Sequence, residues 1–284
     1  MEEISFLSRE ETMKLSLIHL TDIHFTNQNN SILSKQELLW NALKAELRST
    51  DQILCCISGD IAQSGQEDEY YNIAIPFFDN LQGELEKELN INMEFLIIPG
   101  NHDCNFGDTG KNATRDILIE SIVNQSKINV TEHTIKSIKV QQEFEDFREL
   151  YHSQWKNCEL IYDDELLQRV ALKISDFSII FNLFNSSWIS TLKENPGHMV
   201  FPIEQYKQKL NQCNIGDFNI TMIHHPDHWL KPENKRELKD FLESISDFIL
   251  TGHEHVQTNF TKTTWENNRI QYCWQSTPMS LYIY

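Results

Sequence analysis

Short apolar runs rich in β-branched or aromatic residues recur along the chain: Leu15–Leu20, Ile53–Ile57, Phe95–Ile98, Phe177–Phe184, Phe218–Ile223 and Phe248–Leu250. Each has the length of a buried strand, and most end on polar or turn residues. Helical periodicity separates several of them. Between Gln36 and Leu47, the residues Leu38, Leu39, Ala42, Leu43 and Leu47 mark one helical face. Tyr70 to Leu89 carries a longer, less regular pattern in which Pro76 starts or kinks a segment. Strand and helix in alternation predict an α/β architecture with layered sheets. The stretch from Cys104 to Asp176 differs, being polar, helix-prone and free of ligand-type motifs. Within it, Val140–Trp155 reads as an amphipathic helix through Val140, Phe144, Phe147, Leu150 and Tyr151. The expectation is a single domain over 1–284, with 104–176 as a helical insertion that caps a site. Tyr272–Tyr284 ends on apolar SLYIY, which reads either as a last edge strand or as a piece cut from a longer protein.

Composition narrows this only a little. Apolar residues are 40% and charged residues 23% of 284, ordinary for a chain that buries a core. No apolar run approaches the roughly 18 residues that cross a bilayer, and the N-terminal MEEISFLSREET lacks a secretory pattern. Met13 is a plausible physiological start, since the first apolar run follows it. The six cysteines (Cys55, Cys56, Cys104, Cys158, Cys213, Cys273) form no CxxC pair, which suits a reducing cytoplasm and buried thiols rather than disulfides or thiolate zinc. The formal net charge is −18, with Lys and Arg scattered, whereas a nucleic-acid backbone calls for a clustered basic surface. A small substrate is therefore favoured over nucleic acid, with no membrane partner. Partner domain and oligomeric state are left open.

Five runs lead directly into potential metal ligands. LIHL runs into Asp22 and His24, LCCIS into Gly59-Asp60, and EFLIIP into Gly100-Asn101-His102-Asp103. NITMI precedes His224-His225-Pro226, and DFILT precedes Gly252-His253-Glu254-His255. Ligands of open α/β sheets bind beyond the carboxyl ends of strands, where loops converge. Alone, a DxH or a GD pair usually marks a strand-end turn. GNHD is more informative, and in GHEH the residues two apart share one side of an extended chain. Their common strand-end setting indicates a metal site. Carboxylate, amide oxygen and imidazole without thiolate suit Mn²⁺, Fe or Zn²⁺. One carboxylate can bridge two cations ~3.5–4 Å apart, a pair that binds a phosphoryl oxygen and activates water. A nearby histidine suits protonation of the leaving alkoxide.

The blocks TDIH, SGDIAQSG, PGNHD, MIHHP and TGHEH, spanning Asp22 to His255, resemble the calcineurin-like metallophosphoesterase superfamily. The resemblance implies a four-layer α/β/β/α sandwich with metals at one sheet edge. It implies that Asp22, His24 and His255 bind one metal, that Asp60 bridges, and that Asn101, His224 and His253 bind the other. It makes His102 the phosphate-contacting general acid, with Asp103 supporting the loop. The first histidine of HHP matches the family ligand, so His224 is preferred to His225; Pro226 favours an extended His225. GDIAQSG and the final Asp103 of GNHD depart from the protein phosphatase branch, and DIHFT and GDIAQ depart from the DNA-repair exonuclease branch. Together with Gly197 and the following FPIEQYKQKL, the blocks look most like the cyclic-nucleotide-phosphodiesterase-like branch.

The implied activity is dinuclear-metal-dependent phosphoester hydrolysis, foremost of small nucleotide-like or other phosphodiesters with two divalent ions, Mn²⁺ first. The alternatives are a DNA or RNA nuclease and a non-catalytic metal-binding module. Clustering of Lys111, Arg115, Lys127, Lys136 and Lys139 on the metal face would favour the nuclease.

Overall fold

The computed structural model describes residues 13–28, 30, 32–107, 112–174, 176–210 and 216–255, plus the backbone of 258–264 and 269–275. Lys111, Cys213, the side chain of Cys273 and the final apolar stretch beyond Gln275 lie outside the described residues.

Three strands, β1 (Leu15–Leu20), β2 (Gln52–Ile57) and β3 (Met93–Ile97), form a parallel sheet in that order. They are crossed over by α1 (Gln36–Glu46), then by a single turn α2 (Glu67–Glu69), a π-type turn over Tyr70–Ala74 and α3 (Ile75–Leu89). Pro76 sits in the first turn of α3, where its missing N–H leaves no bond unmade. The helix stops at Asn90, whose φ of 55° takes the left-handed cap conformation.

The chain then forms α4 (Ala113–Val123), α5 (Glu132–Ile138) and α6 (Gln142–His152). Asn112 and Thr131 cap the first two through their side chains. After these come β4 (Cys158–Asp163), β5 (Leu167–Ile174), β6 (Phe177–Phe184), α7 (Ile203–Leu210), β7 (Phe218–Ile223), α8 (Pro232–Ile245), β8 (Phe248–Thr251), β9 (Thr258–Thr264) and β10 (Arg269–Gln275). The second sheet has the order β4-β5-β6-β7-β8-β10-β9. Its strands β6, β7, β8 and β10 run parallel, and antiparallel pairs close both edges.

Period-two alternation assigns each strand's two faces, because both are buried. Ile18, Ile53, Cys55, Phe95 and Ile97 point to a core beneath α1, α3 and α6. Leu17, Leu54, Cys56 and Leu96 point the other way, onto Val170, Leu172, Phe181, Met222 and Leu250 of the second sheet. Phe184, Ile223 and Ile249 leave that sheet on its far side, against α4, α5, α7 and α8. Helices, sheet, sheet and helices make the expected four layers.

The 104–176 interval differs from its sequence reading. It is helical only to His152, after which β4 and β5 extend the large sheet. The strand signal was masked by Gln168 and Arg169, which are buried but polar; Arg169 Nε donates to Asn182 Oδ1 at 3.0 Å. On α6, Phe144, Phe147 and Tyr151 are buried as expected, but Leu150 is 40% exposed, a quarter-turn off the packed face. Leu38 of α1 is likewise exposed. Among the described residues no helix is long and apolar enough to cross a membrane.

Candidate dinuclear metal centre

The loops after β1, β2, β3, β7 and β8 meet at one edge of the two sheets. The first two are zipped together: Asp22 N–H donates to Gly59 O (3.1 Å), and Ile23 and His24 N–H both donate to Asp60 O (2.8 and 2.9 Å). Six described non-glycine residues have positive φ, and five are Asp22, His24, Asp60, His253 and His255, at 52 to 74°. The sixth is the α3 cap, so left-handed backbone is concentrated where the sequence placed ligands. Such turns reverse the chain abruptly and aim the side chain back over the strand ends, at a cost of about 1–3 kcal/mol each.

Two groups of donor atoms result. In one, His255 Nε2 lies 3.3 Å from Asp22 Oδ1 and 3.3 Å from His24 Nε2. In the other, Asn101 Oδ1 lies 2.9 Å from His253 Nδ1 and 3.2 Å from His224 Nε2, and the two imidazole nitrogens are 3.2 Å apart. Asp60 stands between them. Its Oδ2 is 3.4 Å from His224 Nε2 and 3.9 Å from His24 Nε2, and its Oδ1 accepts the His102 N–H at 2.8 Å. Imidazole nitrogens facing one another at such distances, with carboxylate and amide oxygens beside them, suit cations at both positions. His224 adds a specific fit: its Nδ1 donates to Ser58 O at 2.7 Å, which fixes the tautomer and leaves Nε2 for coordination.

The two histidines of HHP face different partners, although His224, His225 and His253 together also form a group that could hold a cation. His224 faces Asn101 and Asp60, whereas His225 turns to Ser186 Oγ (Nδ1, 2.9 Å) and Glu194 Oε2 (Nε2, 3.2 Å). Sequence reading had no signal for Glu194, which lies in a loop far from any block. His102 lies edge-on to His24, ring centroids 4.5 Å apart, and its Nδ1 donates to Gln63 O at 2.7 Å. Asp103 is fully buried beneath the loops. It accepts the N–H groups of Asp60 (2.7 Å), Ala62 (3.0 Å) and Gly100 (2.8 Å), and the Tyr70 hydroxyl at 2.8 Å. It supports the loops and does not face the cleft.

Glycine is required where these loops touch. A Cβ on Gly100 would overlap Asp60 Oδ1 and lie 2.5 Å from Asp60 N; on Gly59, at φ 101°, it would lie 2.6 Å from His224 Nδ1.

Charges respond accordingly. Burial alone would raise the Asp60 carboxyl, but His224, His102 and His24 hold it well below the usual carboxylate range. Burial opposes protonation of His224, yet Asp60 and Asp22 raise it to about 10. Burial lowers His24 to about 4 against the pull of Asp60. Burial, His225 and His224 depress His253 strongly. Burial and Asp60 push Asp103 up to about 6.

The calcineurin-like phosphoesterase family model matches this chain over residues 15–257. The chain is 25% identical over 273 residues to a Bacillus subtilis (strain 168) protein described as the uncharacterized metallophosphoesterase-like protein YydB, covering 90% of this chain and 52% of that one. It thus spans about half the length of that relative. Among solved structures, a conserved uncharacterised protein of Streptococcus pneumoniae TIGR4, a predicted phosphoesterase, aligns with TM-score 0.30 and 9% identity over 95% of this chain and 75% of its own. Vacuolar Protein Sorting 29 from Cryptosporidium parvum aligns with TM-score 0.31 and 12% identity over 94% and 76%. With the family match extending across every block that contributes to the cleft, the chain belongs to the calcineurin-like phosphoesterase family.

Proposed function

We propose that this chain hydrolyses small phosphodiesters in the cytoplasm, using two divalent cations, Mn²⁺ foremost. In this reading Asp22, His24 and His255 hold one cation, Asn101, His224 and His253 hold the other, and Asp60 serves both. The observation that carries it is the pair of donor groups sharing Asp60, with His102 alongside. Bound there, the cations would polarise a phosphoryl oxygen and supply an activated water.

The chain's own residues do the rest. Asp60 is held in place by the His102 N–H at its Oδ1, and its own N–H is fixed by Asp103. His102 is anchored through Nδ1 on Gln63 O, so Nε2 is the atom that exchanges a proton with the leaving oxygen. Ser58 O keeps His224 in the tautomer that presents Nε2.

Small substrates are supported by the fate of the insertion's cations. Arg115 is buried, with Nε donating to Ile138 O at 2.6 Å and Nη2 to Ser190 O at 2.5 Å. Lys136 pairs with Glu132 and Glu165, and Lys139 with Glu145 and Glu165. These three are engaged with partners in the fold, which weakens a basic track for a phosphate backbone, while Lys127, the other described cation of the set, is exposed. A Mn²⁺-supplemented panel of nitrophenyl mono- and diesters, cyclic nucleotides, and single- and double-stranded DNA tests the reading. Diesters should be hydrolysed fastest; faster cleavage of linear DNA would replace the small-substrate reading with the nuclease.

A further inference from the structure

The GHEH loop carries three side chains after its glycine, and two of them face the donor groups. His253 lies against Asn101 Oδ1 and His224 Nε2, and His255 lies against Asp22 and His24. Glu254, between them, binds elsewhere. Its Oε1 accepts the Trp229 Nε1–H, and His228 Nε2 lies 2.7 Å from the same oxygen. Trp229 meets the loop a second time, its indole edge-to-face with the His253 imidazole, ring centroids 4.1 Å apart.

Trp229 and His228 belong to the turn Asp227–Trp229, which directly follows HHP. The main chain ties this turn to its surroundings. Trp229 O accepts the N–H groups of Gly197 and Met199, both at 3.1 Å, and Trp229 N–H donates to Pro226 O at 3.1 Å. The ligand loop is the strained partner. His253 and His255 both hold positive φ, 74° and 53°, a conformation that non-glycine residues keep only where neighbours enforce it. On the cleft side the His253 N–H is held by the Asp22 carboxylate at 3.1 Å. On the opposite flank the loop is held by Glu254.

We propose that Glu254, Trp229 and His228 form a clamp that sets the spacing of the HHP and GHEH ligands, with Glu254 and Trp229 as positioning residues for cation binding. The clamp rests on the two-cation reading and adds to it residues that coordinate nothing. Among the described residues Glu254 joins neither donor group, so it acts through His253 and His255. Trp229 acts twice, fixing the carboxylate through its N–H and the His253 ring plane through its indole. Contacts of this kind orient metal ligands and commonly decide affinity.

Equilibrium Mn²⁺ binding to chelator-treated protein, counted from the paramagnetic resonance of the free ion, tests the clamp without turnover. Glu254→Ala should weaken at least one of the two cations about tenfold, while the metal-free variant keeps the native circular dichroism. Glu254→Gln removes the same charge but keeps the accepting oxygen. The charge is partly exposed, so binding should return to within about threefold of native. Trp229→Phe keeps a ring beside His253, removes the N–H, and should weaken binding in the same direction. Since both changes break one contact, the double variant should lose less than the sum of the two. Native affinity in Glu254→Ala, affinity in Glu254→Gln as weak as in Glu254→Ala, or fully additive losses overturns the clamp. If Glu254→Ala does not fold, Trp229→Phe against Glu254→Gln decides: weaker binding in the first supports the clamp, and equal binding overturns it. Two cations on the native protein with Glu254→Ala unchanged sinks the clamp alone; fewer than two sinks the two-cation reading and the clamp with it.

Discussion

In the proposed centre Asp60 serves both donor groups, through the 3.4 Å and 3.9 Å approaches of His224 and His24 to one oxygen. Asp60→Asn keeps the shape and removes the negative charge, so metal content and turnover should both collapse; a fully active variant by initial-rate assay would contradict the shared site. His102→Ala should retain metal and slow turnover, most for esters with poor leaving groups. Equal slowing of nitrophenyl and alkyl esters would remove its role as acid. Gly100→Ala should cost about 100-fold in kcat by displacing the Asp60 carboxylate, measured against folded protein by circular dichroism. The charge balance also makes a pH prediction. His224 is raised to about 10, so its proton must leave before Nε2 can coordinate, while the lowered His24 and His253 have none to lose near neutrality. The hydrogen bond and charge of Asp22 also raise His255, so Mn²⁺ uptake at pH 7 should release more than one proton and tighten as pH rises, as read by calorimetry in buffers of different ionisation enthalpy.

At the scale of elements, β1 carries both a core face and a pH-sensitive group. His19 is completely buried, with Nε2 on Ser58 Oγ at 2.8 Å, and burial lowers it to about 4, partly opposed by Asp22. The unfolded chain protonates this group near 6.5 and the folded chain near 4. The contribution of neutral His19 is therefore complete above 6.5 and is lost as pH falls toward 4. Stability from urea unfolding should drop by roughly 2 kcal/mol between pH 7.5 and 5, and His19→Gln should lack that part of the slope. The six strands foreseen from apolar runs all form within two residues of their expected bounds, because both faces of each are buried and continuous apolar runs report that directly. Strands β4 and β5 escaped because their polar positions are satisfied inside the sheet, as Arg169 is by Asn182. The site blocks were readable because each ligand pair follows a strand immediately. Glu194, Gln63 and Tyr70 were not, since their roles arise from tertiary contacts 31 to 39 residues away in sequence.

The whole molecule reads as two sheets that share one apolar interior and bring their strand ends to a common edge. The smaller sheet supplies Asp22, His24, Asp60, Asn101 and His102, and the larger supplies His224, His253 and His255. In the proposed assignment each donor group draws on both sheets, so that centre forms only when the two are packed. Metal binding should accordingly stabilise the assembled fold, in proportion to cation occupancy. Stepwise Mn²⁺ addition to chelator-treated protein, followed by the rate of bis(4-nitrophenyl) phosphate hydrolysis, tests the dinuclear centre most directly. The rate should stay near background through the first equivalent and rise to its plateau with the second; full turnover with chelator present, or a plateau at one cation per chain, would contradict a centre built on two cations sharing Asp60.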